Sequence, residues 1–167
     1  VTQDLVSTAP GVYTALLGLV QTAAAAQTPA VASFAFELGS YEPGSYVNVH
    51  AIENQNWDWA YLGTFTQYEE FDITGCATVY SGDSPFTNSS VATTVLNQTY
   101  TLMQACVMTP LMSNRTIPIL GGPSNVIEMT PNFSRYQAGP GEMVGGVSGW
   151  YGLIDWSFHF RANVTPQ

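Results

Sequence analysis

The alternation of hydrophobic and polar positions is cleanest near the end of the chain. From about Trp150 to Val164, the residues Gly152, Ile154, Trp156, Phe158, Phe160, Ala162 and Val164 alternate with Leu153, Asp155, Ser157, His159, Arg161 and Asn163. A period of two is that of a strand with one face in a core and the other solvated or turned to a partner. The same period runs from Glu69 to Tyr80, where Phe71, Ile73, Ala77 and Val79 share one face and Glu70, Asp72, Thr74 and Thr78 the other. It predicts a long, half-buried strand, stopped by Gly82-Asp83-Ser84-Pro85.

In two places the spacing becomes helical. Ser7 or Thr8 can cap a helix with Pro10 in its first turn, and Val12, Leu16, Leu19 and Ala23 then recur down to about Ala26. Asn88 or Ser89 opens a second helix with Val91, Val95, Leu102, Met103 and Cys106 on its apolar side, expected to end near Pro110. Between the helices, Phe34, Phe36 and Leu38 read as a strand ending in the turn Glu42-Pro43-Gly44. Tyr46, Val47, Val49, Ala51 and Ile52 read as its hairpin partner. Asn54 to Gly63, which holds Trp57, Trp59 and Tyr61, reads as a loop or strand edge. A strand is expected over Val126 to Thr130, and Asn132 to Gly149 as a Gly-rich arm. The expected fold is one α+β domain over 1–167, an antiparallel or mixed sheet with two helices packed on one face and a Gly-rich arm.

Composition narrows the function. The chain has no lysine, and its arginines, Arg115, Arg135 and Arg161, face twelve Asp and Glu for a net charge of −9. Binding to a nucleic-acid backbone needs cations that replace condensed counterions, so a DNA-binding role is excluded, although an acidic wall that DNA slides past is compatible. Only 9% of residues are charged, against about a quarter in an average protein. Much of the surface is therefore Thr, Asn, Gln, Ser and apolar groups, a surface suited to being covered by partners. No apolar run is long enough for a membrane span, and the N-terminal residues, with Asp4, lack the basic start of a signal peptide. Cytosolic synthesis and no membrane partner are expected.

Chemistry-bearing groups are few. Cys76 and Cys106 are expected as ordinary buried thiols, and His50 and His159 have no acids or cysteines at metal-ligand spacing. The Asn-x-Ser/Thr triplets at Asn88, Asn97, Asn114, Asn132 and Asn163 are expected from an Asn- and Thr-rich composition, with Asn97 inside a helix. Asp155, Ser157 and His159 are the residue types of a hydrolytic triad, but on one strand they project in parallel, and a charge cluster of Asp155, His159 and Arg161 is the expected arrangement. Glu70 and Asp72 are expected side by side on a solvated strand rather than as paired acids of a glycosidase. No dinucleotide or phosphate loop appears, so neither a cofactor nor a metal is expected. Trp57, Trp59 and Tyr61, with Tyr41 and Tyr46, offer an alternative as a sugar-stacking platform of a carbohydrate-binding module.

Element order also resembles that of the tail-terminator (tail completion) proteins of long-tailed bacteriophages. The resemblance rests on the helix Thr8 to Ala26 and the strand Tyr68-Glu-Glu-Phe-Asp-Ile-Thr-Gly-Cys-Ala-Thr-Val-Tyr80 followed by Ser81-Gly82-Asp83. It continues in the helix Ser89 to Met108 leading to Leu111 and the Leu120-Gly121-Gly122 turn, and in the closing strand Gly152-Leu-Ile-Asp-Trp-Ser-Phe-His-Phe160. It implies a non-enzymatic virion protein of the tail and neck whose six copies form a ring. Such a ring caps the tail tube protein and docks to the head–tail connector or stopper protein, with DNA as cargo passing through the central hole. The arm Asn132 to Gly149 and the aromatic loop Asn54 to Gly63 depart from the family pattern and leave a neighbouring connector subunit as a further alternative. Trp57, Trp59, Tyr61, Arg135, Tyr136, Asp155, His159 and Arg161 are the expected interface residues.

Overall fold

The computed structural model describes residues 7–36, 42–59, 67–81, 89–113, 126–142 and 148–164. The architecture is α+β: an open, antiparallel four-stranded sheet with its helices on one face. In chain order the elements are α1 (Ala9–Ala25), β1 (Gly44–Trp59), β2 (Gln67–Ser81), α2 (Ser89–Met103), a π-helical segment (Gln104–Met108), α3 (Thr109–Ser113), β3 (Val126–Glu142) and β4 (Ser148–Val164). The strands lie in the order β1-β2-β4-β3.

The core forms where the period-two faces of β2 and β4 meet the helices. Phe71, Ile73, Ala77 and Val79 on β2 and Ile154, Trp156, Phe158 and Phe160 on β4 are buried, and Phe71 stacks on its register partner Phe160 with ring centroids 5.5 Å apart. Each such large side chain contributes roughly 1.5–3 kcal/mol by leaving water. Helix α1 adds the stripe Ala9, Val12, Leu16, Val20 and Ala24, at i, i+3 and i+4 steps. Leu19 and Ala23, which the spacing places on the stripe, lie at its margin, partly buried.

A buried acid anchors the start of α1. Glu69, wholly enclosed, accepts hydrogen bonds from the Thr8 N–H (2.8 Å), the Thr8 hydroxyl (2.8 Å), the Ser7 hydroxyl and the Gln55 amide (2.7 Å). A carboxylate at the positive end of a helix dipole, saturated with donors, is tolerated where a bare one would not be. Ser7 is the hydroxyl that caps, its Oγ accepting from the Ala9 N–H, while Thr8 makes no side-chain cap.

Three expectations about local structure are corrected. The Phe34 segment is not the antiparallel hairpin partner of β1. Ala32 bridges Tyr46 in parallel, with Val47 N–H donating to Ala32 O and Val49 N–H to Phe34 O, so this stretch runs along the free edge of β1 in the same direction. The other edge of β1 is occupied by β2, and the Asn48 side chain completes the parallel contact by accepting from the Phe34 N–H. Leu38 lies outside the described residues.

The second helix does not stop at Pro110. It passes through the π-helical segment into α3, with Pro110 inside that last turn. Proline cannot donate to the preceding turn and its ring crowds the carbonyl there, and a widened π turn just before it relieves that conflict.

The Gly-rich arm is, over Asn132 to Glu142, part of the edge strand β3, in register with β4. Gly139 is the register partner of Tyr151, and both Gly139 and Gly141 lie under its ring, which covers the surface the glycines leave bare. Pro131 and Pro140 also sit in β3, tolerated because an edge strand turns every second amide away from its neighbour. The segment Asn54 to Trp59 takes the strand-edge alternative, at the end of the edge strand β1, with a bulge between Glu53 and Asn56 at which Asn54 adopts φ 52°, a left-handed conformation that asparagine tolerates.

Candidate functional site

The face of the sheet turned away from the helices gathers the ionic side chains. Arg135 on β3 meets Asp155 on β4 at 3.0 Å, and His159 Nδ1 on β4 meets Asp72 Oδ1 on β2 at 2.8 Å. Arg161 stands 3.4 Å from Glu70 and lies 4.2 Å above the Tyr68 ring. Asp72 also accepts from the Asn54 amide at 2.6 Å. These pairs follow from register: Glu70 is opposite Arg161, Asp72 opposite His159 and Arg135 opposite Asp155, so each of these three acids has a basic side chain directly across the ladder, whereas Glu53 on the same face lies opposite Asp72.

Asp155, His159 and Arg161 share this face, but each is held by a partner on a neighbouring strand rather than by the other two. No relay joins Asp155, Ser157 and His159. Asp72 orients the imidazole and Asp155 is held by Arg135, while positions 155 and 159 on one strand are roughly 13 Å apart. The glycosidase-like pair Glu70 and Asp72 is likewise taken up, each by its own basic partner across the strand.

A polar groove of about 440 Å³ opens on this face, lined by His50, Asn54, Asp72, Arg135, Asp155 and Ser157 among others. His50 is the extra residue of a bulge between Val49 and Ala51, and its Nε2 lies 3.3 Å from Cys76 Sγ. Neither histidine has an acid or cysteine at metal-ligand spacing along the chain, but a bulge brings His50 to Cys76 and antiparallel pairing brings His159 to Asp72. Among the described residues no three His, Cys, Asp or Glu side chains converge as metal ligands. Both thiols are free and buried, and burial pushes the Cys106 thiol up to about 11.

Tyr136 and Trp57, also expected at the interface, do not join this face. Tyr136 is on the helix-bearing side of β3, its ring edge-on to Tyr100 of α2 at 6.2 Å. Trp57 is opposite Glu69 in the register of β1 with β2, a pairing that also places it on the helix-bearing side, and Trp59 is opposite Gln67 near the end of β1. Tyr61 lies outside the described residues, as do Tyr41, Arg115 and the Leu120-Gly121-Gly122 turn. Tyr46, opposite Thr78, is on the ionic face near the far end of β1, so Trp57 and Tyr46 form no common stacking platform.

Sequence reasoning named Tyr136 as an interface residue but missed the other exposed aromatics at the edges of the sheet. Phe36, 55% exposed, follows the parallel stretch on the free edge of β1. Phe133, Tyr136 and Tyr100 are 44%, 50% and 46% exposed at the β3 edge, where the helical layer leaves the sheet uncovered. Alternation of Met129, Pro131 and Phe133 would have marked Phe133, had the prolines and glycines around it not read as an arm. No helix among the described residues is long and apolar enough to cross a membrane. Compared with known proteins, the chain matches no family model and no curated protein.

Proposed function

We propose that the protein is a structural subunit of a long-tailed phage virion that closes into a ring, hexameric by the family resemblance. The ring caps the tail tube, joins it to the head–tail connector and lets DNA through its centre. The observation that carries this reading is the placement of large exposed apolar side chains at the two opposite edges of one sheet: Phe36 beside β1, and Phe133, Tyr136 and Tyr100 beside β3. Two unlike patches on opposite flanks suit a head-to-tail contact that repeats by rotation, and such a contact closes a ring when the rotation divides the circle. Aromatic anchors are the side chains that dominate contacts of this kind.

The composition supports the same reading. An acidic chain with a net charge of −9 suits a channel through which DNA passes without sticking. The ionic face, where Glu70, Asp72 and Asp155 are each matched by a basic neighbour, suits an exposed wall better than a reaction centre. Native mass measurement tests the proposal. Wild-type protein is expected as a closed oligomer, and Tyr136→Asp combined with Phe133→Ser is expected to open it. Purified tail tubes should bind the ring at one end only. Protein that stays monomeric at high concentration and ignores tube ends would overturn the reading.

A further inference from the structure

Three of the four breaks in strand register put a residue that lies outside the ladder on the wall of the polar groove: His50 and Asn54 on β1, and Ser134 on β3. A bulge frees its residue from pairing and re-aims the side chain, so both outer strands contribute to one site. Between them, Thr74 on β2, Ser157 on β4 and Asn132 on β3 form a single row, with Thr74 opposite Ser157 and Ser157 opposite Asn132. All three line the groove.

On either side of that row, two residues along the strands and so roughly 7 Å away, stands a carboxylate with a donor beside it. Asp155 is held through Oδ2 by Arg135 Nε at 3.0 Å, which leaves its Oδ1 and the two terminal nitrogens of the guanidinium. Asp72 accepts through Oδ2 from the Asn54 amide at 2.6 Å, which leaves Asn54 Oδ1. Thr74, Ser157, Asn132 and Ser134 make no side-chain hydrogen bond to another described residue. The groove therefore offers fixed carboxylate–donor pairs at its ends and free hydroxyl and amide groups between them.

We propose that this groove binds a short, neutral oligosaccharide. A sugar hydroxyl both donates and accepts, and two adjacent hydroxyls are matched by a carboxylate oxygen next to an N–H donor, the arrangement found at Asp155 with Arg135. Other ligand classes fit worse. Glu53, Asp72 and Asp155 on the walls repel phosphate and other anions, and apart from Gly75 and Trp156 the lining is polar, which disfavours an apolar ligand. Among the described residues no three His, Cys, Asp or Glu side chains converge on a metal ion. A volume of about 440 Å³ is in the range of small-molecule sites, and two carboxylate pairs set roughly 14 Å apart along the strands span two to three linked pyranose rings. The site lies on the ionic face and uses neither Phe36 nor Tyr136, so it stands whether or not the ring forms.

The test is a nuclear magnetic resonance titration of the isotope-labelled full chain with cellotriose, maltotriose and chitotriose, and with pentalysine as a purely charged probe. At least one trisaccharide is expected to shift amide signals clustered at Asn54, Thr74, Asn132, Ser134 and Ser157, with an affinity that changes little with salt because the ligand carries no charge. Asp155→Asn, which keeps the shape of the side chain, should weaken binding at least fivefold without moving the melting temperature. Ser157→Trp fills the middle of the row and should abolish the shifts. Asn132→Trp, at an exposed position of the same row, gives the same reading if the first variant does not fold. No shift with any trisaccharide at tens of millimolar, shifts centred away from the groove, or shifts with pentalysine alone would overturn the proposal. None of these outcomes bears on the ring, which is read from native mass.

Discussion

Gly152 on β4 lies against Thr99 on α2 so closely that a Cβ at position 152 would overlap the Thr99 hydroxyl and meet the Val95 carbonyl oxygen at 2.9 Å. That hydroxyl is itself held by the same carbonyl at 2.8 Å. The spacing between helix layer and sheet is set at this point, so Gly152→Ala is expected to destabilise the fold by about 1–3 kcal/mol, the range for overpacking. Thr99→Ala removes the obstructing oxygen. A double-mutant cycle by urea denaturation should therefore recover part of the loss, and simple additivity would show that the contact is not the cause.

Glu69 supports a second prediction. Its carboxylate gathers donors from Ser7, Thr8 and Gln55, and hydrogen bonds to a charged group contribute roughly 1.5–3 kcal/mol each without adding up in full. Glu69→Ala should cost about 3 kcal/mol, with hydrogen exchange rising first in the opening turn of α1. An unchanged exchange pattern there would mean that the helix is anchored by its apolar stripe alone.

The ionic face predicts small effects. Side chains of Arg161 and Glu70 are 39% and 38% exposed, and pairs of this kind are worth at most about 1 kcal/mol. Arg161→Ala should shift the urea midpoint only slightly, and the shift should shrink further in high salt. A large, salt-insensitive loss would point to the stacking of the guanidinium on Tyr68 instead.

Alkaline pH offers a fourth test. Burial pushes the Cys106 thiol from an ordinary 9.0 up to about 11, so the folded chain keeps a proton that the unfolded chain gives up earlier. Stability contributed by this group is complete below pH 9.0 and is lost as pH rises through about 11. The hydroxyls of Tyr13 and Tyr80, also raised by burial, act in the same direction at higher pH. Urea midpoints should fall over this window, less steeply in Cys106→Ser, and an alkylating reagent at pH 8 should leave the folded Cys106 unmodified.

Legibility in the sequence tracked the regularity of side-chain burial. β4 could be read to within two residues because Ile154, Trp156, Phe158 and Phe160 are all buried while the residues between them are half-exposed. β3 was hidden because its stability is borrowed: Tyr151 on the neighbouring strand covers Gly139 and Gly141, and nothing within 132–142 announces that ring. The direction of the Ala32 to Phe34 stretch was hidden too, since alternation has no sign and the sequence around Glu42-Pro43-Gly44 suits a hairpin. At the candidate site the acids and cations were visible, but not their pairing. Which acid meets His159 depends on strand order and register, and an adjacent pair such as Asp155 and His159 looked more natural in one dimension than Asp72 and His159 do in three.

Pro131 and Pro140 in β3 have a consequence for how copies can join. A foreign strand laid along that edge would find rungs missing toward both ends, so the sheet cannot be extended from molecule to molecule into a fibril. If copies of the chain assemble as proposed, they are thereby kept from the wrong kind of polymer, and a union at this edge has to be made by side chains.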